Sequence, residues 1–263
     1  MSFRVIVTGA CGRMGSEVVR AISGQPDMAV VGAVDTTRVG EDIGVVAGRP
    51  ALNVLVGTLQ AALAGGAPGV LVDFTRGDVA PANVLAAVQA GWHAVVGTTG
   101  ISSEAQAEIE KAASDKGIGV LIAPNFALGA VLMMRFAREA ASYYEWAEII
   151  ELHHEKKIDA PSGTALRTAD LMRESRPHGF GAVSGETEKI GGARGGLREG
   201  VRVHSVRLPG LVAHQEVLFG GAGETLTLRH DSMSRESFMP GVLLAVRRID
   251  RVRGLVVGLE HLM

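Results

Sequence analysis

The sequence predicts an α/β protein, with a doubly wound parallel sheet over the first half and an α+β second half. Three observations predict it. Short apolar runs at Phe3 to Thr8, Met28 to Val34, Val70 to Phe74, His93 to Gly97 and Gly119 to Ala123 alternate with helical patterns such as SEVVRAISG and VAPANVLAAVQAG. The 263 residues are 47% hydrophobic but only 4% aromatic, so Val, Leu, Ala and Ile must build the core, as they do in buried parallel strands. After Leu128 the alternation thins. Three β-rich runs, Val201 to Arg207, His214 to Phe219 and Glu224 to His230, then follow with short turns that imply antiparallel neighbours.

Composition narrows the function classes. Basic and acidic residues number 26 and 28, a balance with no signal for nucleic acid. The single cysteine, Cys11, excludes an intrachain disulfide and a multi-cysteine metal site, and no metal is expected. This fits a reducing cytoplasm. MSFRVIVTGA runs straight into a glycine turn, unlike a signal peptide, and no uninterrupted apolar run approaches the ~18 residues of a membrane span.

Taken in order, the first element is the β-branched run FRVIVT, followed by Gly9-Ala10-Cys11-Gly12-Arg13-Met14-Gly15 and a helical pattern. Strand, glycine turn and helix open a Rossmann unit, here as G-x-x-G-x-x-G, with a helix N-terminus that would face a pyrophosphate. The glycine turn alone is weak. Asp35 strengthens it, standing at the end of the second strand where an acid binds a ribose 2′-hydroxyl. That carboxylate suits NAD and repels a 2′-phosphate, whereas Arg38 and Arg13 would attract one, so NADH and NADPH both remain open. Asn53 to Val56 reads as a short strand with LQAALAG helical after it. Gly97-Thr98-Thr99-Gly100 and Pro124-Asn125-Phe126 follow later strands at the carboxyl edge of the sheet, so Thr98, Thr99 and Asn125 are candidate cofactor contacts or ordinary loop residues. Ser102 or Ser103 caps a helix through Lys116, with Ser103 and Gln106 matching a capping box. Leu128 to Tyr144 is a helix with Val131, Leu132, Met134, Phe136 and Ala137 on its apolar side. Gly179 to Gly200 is a glycine-rich segment suited to a lid or an interface loop, Ser234 to Ile249 is helical, and Leu255 begins a strand that returns the tail to the first domain.

The densest chemistry lies in ELHHEKKIDAPSGTAL, Glu151 to Leu166. Ala147 to His154 reads as a strand, in which His153 and His154 would point to opposite sides unless the strand already twists into its loop. One would serve a site and the other support it. Ser162 is the expected N-cap of the next helix, leaving the N–H groups of Gly163 and Thr164 at a helix N-terminus, where carboxylate or phosphate binds. Lys156 and Lys157 add positive charge, and a histidine titrates near neutrality. Singly, each residue has a plain structural explanation; together they imply an acidic substrate that is protonated.

These strings together resemble the 4-hydroxy-tetrahydrodipicolinate (dihydrodipicolinate) reductase family of the bacterial lysine and diaminopimelate pathway. The resemblance spans GxxGRMG at Gly9, GTTG at Gly97, APNF at Ala123, HHxxKxDAPSGT at His153 and HSVR at His204. It implies a dinucleotide-binding domain at 1–126 plus about 235–263, and a mixed-sheet domain at 127–234 for substrate binding and tetramer assembly. It also implies that His153 and Lys157 handle protons, that His154, Gly163 and Thr164 bind the carboxylates of a small cyclic substrate, and that Gly9 to Met14, Asp35, Gly97 to Thr99 and Ala123 to Phe126 hold NADH or NADPH. Some members carry a basic residue directly after the ribose-binding acid. Thr36 stands there in this chain, which favours NADH or dual use. Another dehydrogenase on the same cofactor fold, or a nicotinamide sensor, would keep the glycine turn without needing HHxxK and SGT.

Overall fold

Residues 2–263 are described by the computed structural model. Its chain order is β1 (Phe3–Thr8), α1 (Arg13–Ser23), β2 (Met28–Val34), α2 (Ile43–Val46), β3 (Val56–Gly57), α3 (Leu59–Leu63), β4 (Val70–Asp73), α4 (Ala80–Gln89), β5 (His93–Val96), α5 (Ser103–Lys116) and β6 (Gly119–Ile122). There follow α6 (Leu128–Ala141), β7 (Trp146–His153), α7 (Gly163–Ser175), β8 (Gly196–Arg198), β9 (Val201–Arg207), β10 (Ala213–Gly221), β11 (Glu224–Ser232), α8 (Met239–Arg248) and β12 (Gly254–Val257). Two units result: Met1–Phe126 with Phe238–Met263, and Ala127–Ser237.

The first unit holds a seven-stranded sheet in the order β12-β6-β5-β4-β1-β2-β3, every neighbour parallel. The order in which strands are added reverses between β1 and β4, the switch point at which α/β sheets open a crevice for a ligand. Helix α1 forms because Gly15, Val18, Val19 and Ile22 recur at helical spacing and are buried. Trp92, Ile109 and Leu71, all fully buried, belong to the core cluster of this sheet. α5 is capped by Ser102, whose hydroxyl accepts from Ala105 N, and it ends at Gly117 with φ +65°. Ser103 is therefore not the cap. Gln106 reaches the Ile101 carbonyl instead of closing a box with Ser103.

The second unit holds a mixed sheet in the order β11-β10-β7-β9-β8, with α6 and α7 against it. Val201–Arg207 and Ala213–Gly221 are not neighbours as expected: β7 lies between them, parallel to β9 and antiparallel to β10. A short connection suggests direct pairing, but the central place goes to another strand. β7 is the most apolar of the three and takes the centre, with Ala147 and Ile149 buried beside Val203 and Phe219. Helix α6 buries Val131, Met134 and Ala137, whereas Phe136 is exposed because Ala130, Met133 and Ala141 complete the packed stripe.

Candidate active site

The glycine turn of the first unit shows a division of labour. Gly9 has φ +71°, and a Cβ there would lie 2.5 Å from the Phe74 carbonyl oxygen; at Gly15 it would lie 2.0 Å from the Gly9 oxygen. Both are glycine because strand, turn and helix meet backbone to backbone. Gly12 is exposed, and its missing Cβ would meet only the Gly9 oxygen, at 3.2 Å. It is also the N-cap of α1, with no side-chain cap hydrogen bond. An uncapped helix end beside a bare, accessible backbone fits a pyrophosphate. Arg13 is exposed and Met14 and Cys11 half-buried around it, with Ala10 buried behind.

Asp35 completes this cradle at the end of β2. Its Oδ2 accepts from Cys11 N (3.0 Å), and its Oδ1 accepts from both N and Oγ1 of Thr37 (2.9 Å each). Burial pushes the carboxyl up, but the bonds from Thr37 and Cys11 outweigh it and hold the group ionised below its usual range. Burial, and then the Asp35 charge, push the Cys11 thiol up, which keeps it protonated and unreactive. Arg38 is turned onto Glu41, with Nη2 2.7 Å from Oε2 and Nε 3.2 Å from both oxygens. Its guanidinium is thus engaged rather than waiting for a 2′-phosphate.

At the ends of β4 and β5, sequence reasoning passed over Asp73. This fully buried carboxylate accepts from Thr8 Oγ1 (2.6 Å), Thr98 Oγ1 (2.6 Å), Thr75 Oγ1 (2.8 Å), Thr75 N (3.1 Å) and Asn83 Nδ2 (2.9 Å). Thr98 also accepts from Thr75 N (2.8 Å), so its side chain ties loops together. Thr99 is exposed at the same edge. A Cβ on Gly97 would lie 2.1 Å from the Phe74 ring, which in turn packs on Phe126 at 5.8 Å between centroids. Ala123 N donates to the Val96 carbonyl (2.9 Å), fixing the APNF turn, in which Ala123 and Phe126 are buried, Pro124 is exposed and Asn125 is half-buried.

In the second unit the sequence-predicted residues gather at the end of β7. The strand stops at His153, and a turn begins at His154, whose carbonyl accepts from Lys157 N (3.1 Å). Strand alternation therefore does not govern His154. Ser162 caps α7, its hydroxyl accepting from Ala165 N (3.2 Å), while Gly163 is exposed with no atom within 4 Å of a Cβ placed on it. No packing contact requires glycine there. Thr164, half-buried, stands in the same first turn; its carbonyl accepts from Thr168 Oγ1 (2.7 Å), which accepts from buried Gln215 Nε2 (2.8 Å). Lys157 Nζ sits 2.8 Å from both oxygens of Asp159, an exposed carboxylate that the ammonium holds below its usual range.

The residue that organises this end marks, in the sequence, only an exposed or functional point of its strand. Glu151 is fully buried. Oε1 accepts from Arg207 Nη2 (2.8 Å) and Ser162 N (3.1 Å); Oε2 accepts from Arg207 Nη1 (2.8 Å) and lies 2.5 Å from His153 Nδ1. Burial pushes its carboxyl up, but bonds from His153, Arg207 and Ser205 prevail and hold it at about 2. Arg207 also donates to the carbonyls of Lys157 (3.3 Å) and Asp159 (2.7 Å). The HSVR string is thereby explained: on β9, His204 meets Glu148 (2.7 Å) and Arg207 meets Glu151. The signal available in the sequence was a glutamate inside an apolar strand, with an arginine in another strand of the same half.

A parallel sheet with a bare phosphate turn at its first helix, together with an α+β unit bearing a fixed histidine, a lysine and an open helix N-terminus, defines a two-unit, nicotinamide-dependent oxidoreductase for an anionic substrate. Residues 3–126 match the family described as dihydrodipicolinate reductase, N-terminus, and residues 129–263 match dihydrodipicolinate reductase, C-terminus. The chain belongs to the dihydrodipicolinate reductase family. It is 52% identical over 265 residues to the 4-hydroxy-tetrahydrodipicolinate reductase of Moorella thermoacetica, covering 100% of this chain and 98% of that one. Against the protein of the same name from Listeria monocytogenes serotype 4b it is 48% identical, covering 99% of each. The structure of dipicolinate-bound dihydrodipicolinate reductase from Paenisporosarcina sp. TG-14 superposes with a TM-score of 0.90 at 40% identity, covering all of both chains. An amine dehydrogenase from Mycobacterium smegmatis shares the fold alone, at a TM-score of 0.70 and 15% identity.

Proposed function

We propose that this chain is an NAD(P)H-dependent 4-hydroxy-tetrahydrodipicolinate reductase that serves lysine and diaminopimelate synthesis. The observation that carries this reading is the end of β7, where His153 is fixed on Glu151 in one cluster with Lys157 and the helix start at Ser162. When bound, the nicotinamide cofactor supplies the hydride. Everything else falls to the protein: orientation, charge and proton management.

His154 and the N-terminal turn of α7 at Gly163 and Thr164 hold the substrate's carboxylates, in keeping with helix-end chemistry. His153, with Nδ1 committed to Glu151, uses Nε2 to move a proton as the ring is reduced and the hydroxylated form loses water. Lys157 donates near the ring nitrogen, exchanging its contact with exposed Asp159 for the substrate. Gly9 to Met14 and Asp35 hold the pyrophosphate and ribose, and Gly97 to Thr99 with Ala123 to Phe126 line the nicotinamide side. The dipicolinate named with the Paenisporosarcina protein supports a small cyclic dicarboxylate as substrate class. Assembly as a cytoplasmic homotetramer through residues 127–234 is part of the same proposal; exposed Trp146 and Leu197 on the mixed sheet support a protein partner there. No helix among the described residues is long and apolar enough to cross a membrane.

The test is oxidation of NADH and of NADPH, at matched concentrations, with enzymatically generated 4-hydroxy-tetrahydrodipicolinate. Rapid oxidation is expected. Cofactor binding without any oxidation would remove the reductase reading.

A further inference from the structure

We propose that Glu151 is a positioning residue for turnover: one buried carboxylate that sets the tautomer of His153, the start of α7 and the Lys157–Asp159 loop together. The inference rests on the role given to His153 above.

The argument is one of donors and acceptors. An ionised carboxylate can only accept, so Nδ1 of His153, 2.5 Å from Oε2, must carry the ring hydrogen, and Nε2 is left to exchange a proton with substrate. Each oxygen of Glu151 also faces one nitrogen of the Arg207 fork. The fork spans the same carboxylate and the carbonyls of Lys157 and Asp159, so imidazole and lysine loop take their places from one pair. Ser162 N on Oε1 adds the first residue of the anion-binding turn. The groups facing Glu151 are His153 on its own strand, Ser205 and Arg207 on β9, Gln215 opposite it on β10, and Ser162 before α7.

Glu151→Gln separates this role from mere packing, because the shapes match and the donors do not. Whichever end carries the amide NH2 confronts an Arg207 N–H. At the His153 end the amide would donate to Nδ1 and drive the hydrogen to Nε2, the wrong atom for accepting a proton. We expect kcat to fall by about 10²–10⁴-fold, the span of a lost general acid or base, with the NADH dissociation constant within about twofold of wild type. The ¹⁵N spectrum of His153 should change from the Nδ1–H to the Nε2–H pattern.

A cycle with His153→Ala decides. If Glu151 acts mainly through the tautomer of His153, Glu151→Gln costs at least about tenfold less once the imidazole is gone, the remainder running through the lysine loop and α7. A full loss in that background, or a Glu151→Gln enzyme within about threefold of wild type, would overturn the inference. Should Glu151→Gln fail to fold, Arg207→Lys breaks the fork while keeping the charge. It is expected to lose at least about fivefold in kcat, with a smaller loss where His153 is absent. Wild-type turnover in His153→Ala would remove the reading of the site itself. That outcome is told apart from failure of the inference alone, in which His153→Ala is slow and the Glu151 and Arg207 variants are not.

Discussion

At the scale of single residues, the buried carboxylate gives a pH dependence with a definite sign. Glu151 titrates at about 2 when folded and near 4.5 when exposed, so its ionised form stabilises the fold. The contribution is fully present above pH 4.5, declines as pH falls towards 2, and is gone below. Urea midpoints measured from pH 7 to pH 2 should therefore show Glu151→Gln less stable than wild type at pH 7, with the gap closing below pH 4.5. A gap independent of pH would show that charge is not what holds this cluster. A second residue-scale prediction concerns cofactor choice. Arg38 and Glu41 are both about half exposed, so their pair is weak. Glu41→Ala should release the guanidinium and raise the NADPH to NADH ratio of kcat/KM by no more than about fivefold. A fall in that ratio would show that Arg38 does not face the 2′-position.

Elements translate these residues into placement, and the glycine turn offers a paired test. Gly15→Ala puts a Cβ 2.0 Å from the Gly9 carbonyl oxygen, a backbone atom that cannot swing aside, so α1 must leave β1. Gly12→Ala meets one atom, the Gly9 oxygen at 3.2 Å, a far milder contact, and its φ of −72° suits alanine. The expected outcome is a several-degree loss in melting temperature for Gly15→Ala, and for Gly12→Ala a near-native melt with weakened NADH binding. Equal effects on both would contradict the assignment of Gly12 to the cofactor. Elements also mark what a sequence can reveal. Strand, glycine turn, helix and Asp35 were legible because each has a local signature in spacing and residue type. The Ser162 cap was legible for the same reason. The place of β7 between β9 and β10 was not, since it depends on a comparison among distant segments. Glu151 and Asp73 were overlooked as hubs because their donors, Arg207 and Ser162 in one case, Thr8, Asn83 and Thr98 in the other, come from other elements and no local pattern announces them. Phe136 was read as core from periodicity, but the stripe beside it was already filled by smaller residues.

For the whole molecule, the return of the chain's last segment to the first unit makes a strong prediction about where folding information lies. β12 pairs with β6 from Gly254↔Gly119 to Val257↔Ile122, so it covers an edge that β6 would otherwise expose. On α8, Gly241 packs so near the Phe126 carbonyl that a Cβ would lie 2.0 Å from its oxygen. Arg247 holds the Asp27 carboxylate with two bonds, at 2.8 and 2.9 Å, although the two stand 220 positions apart in sequence. Val242, Val246 and Ile249 are fully buried, Leu259 is 1% exposed and Leu262 5%. At ~1.5–3 kcal/mol for each of these side chains, their burial amounts to roughly 7–15 kcal/mol as an upper estimate. A domain's whole stability is only ~5–15 kcal/mol. A chain ended after Ser237 should therefore keep every residue of the glycine turn and Asp35 yet lose the fold that presents them. The measurement is NADH binding together with a thermal melt of the truncated chain: no cooperative transition from the first unit and no NADH binding are expected. Binding within about twofold of full length would mean that β1 to β6 suffice alone, and that the β12 edge and α8 serve something other than the stability of the cofactor cradle.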